Sequence, residues 1–351
     1  MIGSIVIRGT NWIGDAMMTI PAMREIGRVF PDAEIFLHTP AWAAGIFHGS
    51  DLINDIIPFQ REKNRYREVR RQADILRRHH FDLAIIFPNS FESALTAKLA
   101  GIPRRIGFNK DLRGLLLTDP VAVPEWKGRR HEVFYYLALA AEAERRYAGT
   151  NTIAFAEPDE SLEIAEERRQ AARGLLAAGG VDLTRRTIAL GVGSTNSMAK
   201  RWGAEKYAEL NDYIQAELNA NVILTGSPDE IDVAEKVRSL SEYPPLIFAG
   251  KTDIAMAAAV LAVVDMLVSN DMGTAHIAPA VGTPTIVIFG PTNDATTRPF
   301  SANAVVIRRD VECAPCMLRE CPIDHRCMTR ISAREVFEEV KLLLAEKEAL
   351  Q

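Results

Sequence analysis

The feature that most constrains the fold of this chain is an almost unbroken alternation of strand-like and helix-like segments. In the first half, apolar runs of strand length are separated by longer stretches with helical periodicity. Such an alternation is typical of βαβ units, whose strands lie parallel in one sheet. We predict strands at residues 3–8, 33–38, 55–58, 82–87 and 104–108, and helices at 15–29, 64–79, 90–100 and 131–147.

The alternation is interrupted at residues 149–160, GTNTIAFAEPDE, which are typical of a linker. After a charged helix predicted at 159–178, strands at 188–193, 221–226, 245–250, 265–270 and 283–290 alternate with helices at 204–218, 229–240, 253–263 and 273–281, and a last helix is predicted at 332–348. We therefore predict an α/β fold with two Rossmann-like, doubly wound parallel-sheet domains. Their predicted extents are residues 1–160 and 161–331, with a C-terminal helix in 332–351. Loops that follow strands should open into a cleft between the domains.

Composition excludes several classes of protein. The 351 residues are 48% hydrophobic, which is sufficient for two buried cores. The net charge of −5 gives no reason to expect a nucleic-acid partner. The sequence shows no signal-peptide pattern, and its longest apolar run, residues 254–264, is too short to span a bilayer. We expect a soluble, cytoplasmic protein.

The first strand runs into the loop RGTNWIGDAMM, which carries an acid where a phosphate-binding loop would carry a lysine. Gly9 and Gly14 have P-loop spacing, but Asp15 and Ala16 follow them, and the dinucleotide fingerprint is absent as well. An aspartate at the start of a helix would repel a phosphate and would suit a proton acceptor. Asp15 would equally suit a helix cap, and the local sequence leaves both hypotheses open.

In the second half, the loop GSTNSMAKRWG follows a predicted strand. Ser194 and Thr195 offer hydroxyl and backbone donors, and Lys200 and Arg201 add positive charge. This combination can bind a diphosphate, although a lysine–arginine pair more commonly faces solvent. Trp202 should pack beneath the loop.

Two further loops lie at the same predicted sheet edge. A helix beginning near Gly273 would direct free N–H groups and its dipole toward an anion, with Asp271 and His276 nearby. An isolated histidine in an apolar helix is more often a core residue. Glu230 could accept a ribose hydroxyl, but acids are also common where helices begin.

Basic residues are concentrated in the first half, at 60–80 and 101–114. They would attract a polyanionic acceptor if they border the cleft, or they form the solvated face of a helix.

All four cysteines lie in CAPCMLRECPIDHRC, which includes His325. This segment can hold a structural zinc ion or an iron–sulfur cluster, form two local disulfides, or keep reduced thiols. For a cytosolic protein we favour a metal or reduced thiols. The ligands of such a site would be Cys313, Cys316, Cys321 and Cys327.

Taken together, four of these segments resemble the family 9 glycosyltransferases. They are NWIGDAMMTIPAM, PNSFESALTAKLAGIPRRIGF, KRW and SNDMGTAHIAPAVGTPTIVIFGPT, which occur in the family's order from residue 8 to about 298. Within the family, the block PNSFESAL is similar to the heptosyltransferase II branch. The cysteine segment departs from the simplest members.

The resemblance implies a GT-B fold with two facing domains, the acceptor in the first and the nucleotide sugar in the second. It implies inverting transfer of L-glycero-D-manno-heptose from ADP-heptose to the heptosyl-Kdo2-lipid A inner core of lipopolysaccharide, with no cofactor required. It also implies peripheral contact with the inner face of the inner membrane. We expect a monomer.

The resemblance also implies roles for individual residues. Asp15 would be the base for the incoming hydroxyl, and Lys200 would stabilise the leaving diphosphate. The other donor-binding residues would be Ser194, Thr195, Glu230, Asp271, Met272, Gly273, Thr274 and His276. Acceptor-binding residues would be Arg61, Lys63, Arg104, Arg105 and Arg113.

Three alternatives compete with this interpretation. The chain could be another family 9 transferase, such as heptosyltransferase I or III or one with a different nucleotide sugar. It could be a non-catalytic sugar-nucleotide-binding protein, although a pure binder needs no base. It could also be a metal or redox sensor built around the cysteines.

Overall fold

The computed structural model describes residues 2–195 and 197–349, except the side chain of residue 348. The chain divides into two compact units, Met1–Glu160 and Ser161–Gln351. Each unit contains a six-stranded sheet in which every neighbouring pair of strands is parallel. The predicted α/β class with two doubly wound sheets is confirmed.

In the first unit the strand order is β3-β2-β1-β4-β5-β6, so the order reverses between β1 and β4. The strands are β1 Ser4–Arg8, β2 Glu34–Pro40, β3 Asp55–Phe59, β4 Leu83–Ile86, β5 Arg104–Phe108 and β6 Asp119–Val121. The helices are α1 Ile13–Met18, α2 Ile20–Val29, α3 Ala41–Ala44, α4 Arg65–Arg77, α5 Phe91–Leu99 and α6 Glu132–Tyr147. Short 3-10 turns lie at Gly45–Phe47, Arg113–Leu116 and Ile153–Phe155.

The second unit has the order β12-β11-β10-β7-β8-β9 and reverses between β7 and β10. Its strands are β7 Thr187–Gly191, β8 Asn221–Thr225, β9 Leu246–Ile247, β10 Met266–Asn270, β11 Thr285–Phe289 and β12 Ala304–Arg308. Its helices are α7 Glu166–Ala178, α8 Ala204–Leu218, α9 Ile231–Leu240, α10 Ile254–Leu261, α11 Gly273–Ala280, α12 Asp294–Thr297, α13 Arg326–Thr329 and α14 Ala333–Ala349. Turns of 3-10 type lie at Met198–Lys200 and Pro228–Glu230.

Each core forms because alternate strand residues meet the apolar faces of helices. In the first unit, Val6, Ala84 and Ile86 pack against buried residues of α4 and α5. In the second, Leu190 and Val268 pack with Tyr207 of α8 and with buried residues of α14. Trp202 is buried in this second core, as predicted from its position beneath the loop. Among the described residues, no helix is long and apolar enough to cross a membrane.

Two predicted helices were wrong in extent. The helix predicted at 15–29 is two helices, because Thr19 bonds back to the Ala16 carbonyl and Pro21 begins a new turn without an N–H to donate. The helix predicted at 159–178 begins only at Glu166. The residues before it form neither helix nor strand. Leu162 and Ile164 are buried, and the Leu162 amide donates to the Ala280 carbonyl. The short elements β6, β12, α3, α12 and α13 were not predicted.

A buried acid, Glu144, organises the segment that follows α6. Its carboxylate accepts hydrogen bonds from the Thr150 hydroxyl at 2.7 Å and from the amides of Thr152 and Ile153 at 2.8 Å. Burial by itself raises the pKa of this carboxyl, but the hydrogen bonds outweigh it and lower the pKa from 4.5 to about 2.

Glu144→Gln should lower the free energy of unfolding at neutral pH by about 1–3 kcal/mol, because several donors lose a charged acceptor. A folded-state pKa of about 2 against 4.5 when unfolded means that the contribution is fully present above pH 4.5. It is lost as the pH falls through the folded value. Urea unfolding should therefore show a wild-type-to-variant difference that shrinks with acid. Glu167→Gln, at an exposed acid, is the control, and a pH-independent difference would contradict the assignment.

Candidate functional site

The loops after β7 and β10 leave adjacent strands where the order of the second sheet reverses, which is where ligands bind in open α/β sheets. The buried amide of Asn270 joins them. Its Nδ2 donates to the carbonyls of Val192 and Gly193 at 3.2 and 2.9 Å, and its Oδ1 accepts from the Trp202 amide at 2.9 Å and the Tyr207 hydroxyl at 3.1 Å. All four hydrogen-bonding positions of this side chain are filled, so the two loops are held in one register.

The charged centre of this sheet edge is the pair formed by Lys200 and Asp271. The lysine Nζ lies 2.6 Å from Asp271 Oδ2, and the Thr292 hydroxyl donates to the same oxygen at 2.7 Å. Asp271 is buried, whereas Lys200 is partly exposed. An aspartate does not attract a phosphate, so its effect here is to hold the ammonium in place. Thr292 was not singled out from the sequence.

Beside this pair, α11 begins at Gly273, and its N-cap residue Met272 makes no side-chain capping bond. The first free N–H groups of the helix and the positive end of its dipole are therefore available to an anion. The Thr274 hydroxyl oxygen is enclosed, and it has no hydrogen-bond partner among residues 2–195 and 197–349. His276 is buried one turn further along the same helix. Met272, Gly273 and Thr274, which were predicted to act together, therefore lie at the start of one helix.

Side-chain hydrogen bonds hold the loop that precedes Lys200. Arg201 donates from Nε and Nη2 to the carbonyl of Ser194 at 3.2 and 3.1 Å. The exposed Thr195 donates to Glu230 Oε1 at 3.3 Å. Residue 196 lies outside the described residues. Arg201 therefore fixes the loop, a role that its sequence position beside Lys200 did not indicate.

Glu230 is buried, whereas a residue that binds a ribose hydroxyl must be accessible to the ligand. It is only 1% exposed, and its second oxygen accepts from the Ser227 amide at 2.8 Å in a capping box. A Cβ at Gly193 would lie 2.1 Å from this carboxylate, so that glycine permits the close approach. Both carboxylate oxygens are engaged within the protein, so the predicted ribose contact gains no support from this geometry.

Residues of the cysteine segment form hydrogen bonds with the loop that carries Lys200. The Arg319 carbonyl accepts from the Ala199 amide at 2.9 Å and from the Ser197 hydroxyl at 3.2 Å. The His325 ring Nε2 lies 2.6 Å from the Ala199 carbonyl. Residues more than a hundred positions away thus set the turn that carries Lys200, and no local signal in the sequence predicts this.

The four cysteines are free thiols. The pKa of Cys327 is raised from 9.0 by burial, and then by the nearby Cys313, Cys316 and Cys321. Within the described parts of the chain, no three or more His, Cys, Asp or Glu side chains are arranged to hold a metal ion. The predicted zinc or iron–sulfur site is therefore not formed by this arrangement of the cysteines.

In the first unit, Asp15 lies in the first turn of α1, the helix that follows β1. Trp12 is the N-cap residue and makes no side-chain capping bond, so the hypothesis that Asp15 is the N-cap is wrong. The Tyr136 hydroxyl donates to Asp15 Oδ1 at 3.4 Å. Burial, and then the carboxylate of Asp15, raises the pKa of Tyr136 well above 10, so this hydroxyl keeps its proton.

A buried arginine that was not predicted lies at the end of β1. Arg8 donates from Nη2 to Asn11 Oδ1 at 3.5 Å and lies over the Phe59 ring at 4.3 Å. Burial, and then the charge of Arg61, lowers the pKa of Arg8 to about 9. Arg61 itself is 3.4 Å from the buried Glu68. The sequence signal that could have identified Arg8 is its position directly before Gly9.

The other residues predicted to bind the acceptor differ in exposure. Arg113 does not fit that prediction, because it is buried. It is 0% exposed, and its guanidinium donates to the carbonyls of Phe108 (2.7 Å) and Pro88. Burial lowers its pKa to about 10. Arg113 therefore fixes the ends of β4 and β5 and does not reach an acceptor. Arg105 bonds to nearby carbonyls, whereas Lys63 and Arg104 are exposed.

Comparison with known proteins finds relatives that match nearly the whole chain. The chain is 28% identical to lipopolysaccharide heptosyltransferase 2 of Escherichia coli K12, over 98% of this chain and 99% of the relative. It is 30% identical to lipooligosaccharide heptosyltransferase 2 of Haemophilus ducreyi, over 87% of this chain and 88% of the relative. The solved E. coli ADP-heptose LPS heptosyltransferase II matches with a TM-score of 0.84 at 27% identity, covering 98% of this chain and 99% of that one.

The family model described as glycosyltransferase family 9 (heptosyltransferase) matches residues 69–326, which is well over half of the chain. The matched region includes Lys200, Asp271 and the start of α11. This chain therefore belongs to glycosyltransferase family 9, the heptosyltransferases, and is a glycosyltransferase.

Proposed function

We propose that this enzyme transfers L-glycero-D-manno-heptose from ADP-heptose to the heptosyl-Kdo2-lipid A inner core, the second heptosyl step. The observation that carries the donor side is the Lys200–Asp271 pair beside the start of α11. The choice of step is supported by relatives named heptosyltransferase 2 that match over nearly the whole chain. The donor, acceptor and step are parts of the proposal that an assay can separate.

On the donor side, the leaving group is ADP, whose β-phosphate gains negative charge as the sugar departs. The Lys200 ammonium, held by Asp271, would meet this charge. The free amides of α11 and the Thr274 hydroxyl would supply hydrogen bonds to the same oxygens. Fixed charge and dipoles of this kind stabilise a departing diphosphate, so this step needs no metal ion from the donor site.

On the acceptor side, Asp15 would act as the general base. The acceptor hydroxyl oxygen forms a bond to the anomeric carbon as the bond from that carbon to the phosphate oxygen breaks. The hydroxyl proton passes to the Asp15 carboxylate, and ADP leaves with the electron pair. The hydrogen bond from Tyr136 would orient the carboxylate for this role.

The acceptor carries anionic groups, and Arg61 would meet one of them. Its neighbour Arg8 bonds to Asn11 in the loop that leads to Asp15, and the charges of both arginines are only partly balanced by Glu68. Lys63 and Arg104 are free to reach solvent-borne anions. Arg113 is left out of the acceptor site because it is buried.

The proposal is tested by ADP release from ADP-heptose in excess EDTA, with and without heptosyl-Kdo2-lipid A. We expect release that depends on this acceptor. Release with Kdo2-lipid A alone would identify the first heptosyl step in its place. Failure to bind ADP-heptose would remove the donor assignment.

Asp15→Asn should reduce kcat by about 10²–10⁴-fold, because the base is lost while the shape is kept. Binding of ADP, measured by calorimetry, should be unchanged. Asp51→Asn, at an exposed acid of the same unit, is the matched control and should behave as wild type. A variant at residue 15 with near-normal turnover would refute the assignment of the base.

Lys200→Ala should weaken ADP binding and reduce kcat by about 10²–10³-fold, because the buried Asp271 then faces the diphosphate without its cation. Lys200→Arg should recover part of both. Lys251→Ala, at an exposed lysine of the same unit, is the control. Unchanged ADP affinity in the Lys200→Ala variant would exclude this residue from the phosphate site.

A further inference from the structure

Two exposed tryptophans lie at the loop that leads to Asp15. Trp12 is the N-cap residue of α1 and is 55% exposed, and Trp42 on α3 is 45% exposed. Aromatic side chains of this size bury large apolar surfaces when they have a partner, so two of them exposed at one loop indicate a binding surface. The proposed chemistry assigns no task to either side chain.

The two tryptophans meet at a single peptide group. The indole N–H of Trp42 donates to the Asn11 carbonyl at 3.3 Å, and this carbonyl belongs to the peptide bond that joins Asn11 to Trp12. Arg8 donates to the side chain of the same asparagine at 3.5 Å. The loop before Trp12 is therefore held both from β1 and from α3. Because the N–H of Trp42 is engaged in this bond, its exposed ring atoms are apolar.

Trp12 and Asp15 lie on the same side of the first turn of α1. They occupy the N-cap and N3 positions, where side chains are close enough in a capping box to bond to each other's backbone groups. Asp15 is partly exposed, so a ligand can reach its carboxylate. A ligand hydroxyl that does so has the Trp12 ring beside it.

The position of both tryptophans in the sheet supports a ligand at this place. Helix α1 follows β1 and α3 follows β2, and these strands are parallel neighbours, so both rings lie at the carboxyl edge of the sheet. The strand order reverses beside β1, and ligands of open α/β sheets bind at such a reversal. Binding sites for small molecules typically combine aromatic side chains with a few polar groups. Two indoles and one carboxylate meet this description.

We propose that Trp12 and Trp42 form an aromatic subsite for the sugar ring whose hydroxyl is presented to Asp15. A pyranose has a face of C–H groups and a rim of hydroxyls, so it can stack on an indole while one hydroxyl points to the carboxylate. Stacking also restricts the orientation of the sugar, and therefore selects which of its hydroxyls reacts. This inference rests on the proposed function, which places the acceptor beside Asp15.

The test measures the KM values of a deacylated, water-soluble heptosyl-Kdo2 acceptor and of ADP-heptose separately. Trp12→Ala should raise the acceptor KM about tenfold or more and leave the donor KM unchanged, because only the acceptor loses a stacking partner. Trp12→Phe keeps a flat ring and should recover most of this loss, whereas Trp12→Leu, which is apolar without a flat ring, should not. Trp42→Ala should also raise the acceptor KM alone.

Binding without turnover gives a second measurement. Titration calorimetry of the same saccharide with the ADP-loaded protein should show about tenfold weaker binding for Trp12→Ala than for wild type. Phe155→Ala is the matched control, because this aromatic residue of the same unit is 83% exposed and lies beyond the C-terminal end of α6. The control should keep both the acceptor KM and the saccharide affinity, and all variants should unfold in urea like wild type.

The outcomes separate the aromatic subsite from the proposed function. Unchanged acceptor KM and saccharide affinity in the Trp12→Ala and Trp42→Ala variants would overturn the subsite, while transfer by the wild type would still support the function. Saccharide binding that requires Trp12, in a wild-type protein that transfers no heptose, would support the subsite and refute the function. Absence of saccharide binding by the wild type would overturn the subsite and leave an apolar segment of another protein as the candidate partner of the two rings.

Discussion

The candidate donor site depends on a single buried amide. Asn270 fills all of its hydrogen-bonding positions between the loops after β7 and β10, which leave neighbouring strands in a parallel sheet. Without it, the carbonyls of Val192 and Gly193 would be buried without partners, at a cost comparable to that of a lost hydrogen bond for each. Together with the contacts of Arg319 and His325 with Ala199, this register sets the position of Lys200 relative to Asp271. The geometry of the candidate donor site therefore depends on hydrogen bonds to buried backbone groups.

The candidate sites of the two units differ in electrostatic character. In the second, a lysine held by an acid and the start of a helix concentrate positive potential where an anion would lie. In the first, a carboxylate lies in the first turn of a helix and accepts from a tyrosine that stays protonated. The lysine and helix start of the second unit suit the binding of phosphate, and the carboxylate of the first unit suits the acceptance of a proton. The proposed glycosyl transfer, with its diphosphate leaving group, would need both.

Charged residues were where prediction from sequence was least reliable, and the reason is burial. Arg113 and Glu230 were predicted to bind ligands, yet both lie inside the protein and bond to backbone groups. Conversely, Arg8 and Thr292 were not predicted: a basic residue before Gly9 is visible in the sequence, but the side chains that Arg8 and Thr292 contact come from other segments. A residue type specifies which bonds a side chain can make, whereas the packing of distant segments decides which partner it meets.

The sequence by itself determined the alternation of strands and helices, the parallel sheets, and the loops that carry Asp15, Lys200 and Asp271, because apolar periodicity and turn residues are local properties. Only the tertiary structure decided which groups meet. The contacts of Arg319 and His325 with Ala199, the burial of Arg113 against Phe108 and Pro88, and the pairing of Lys200 with Asp271 all join residues that are not neighbours in the chain. Such contacts depend on strand order and helix packing, which periodicity does not encode.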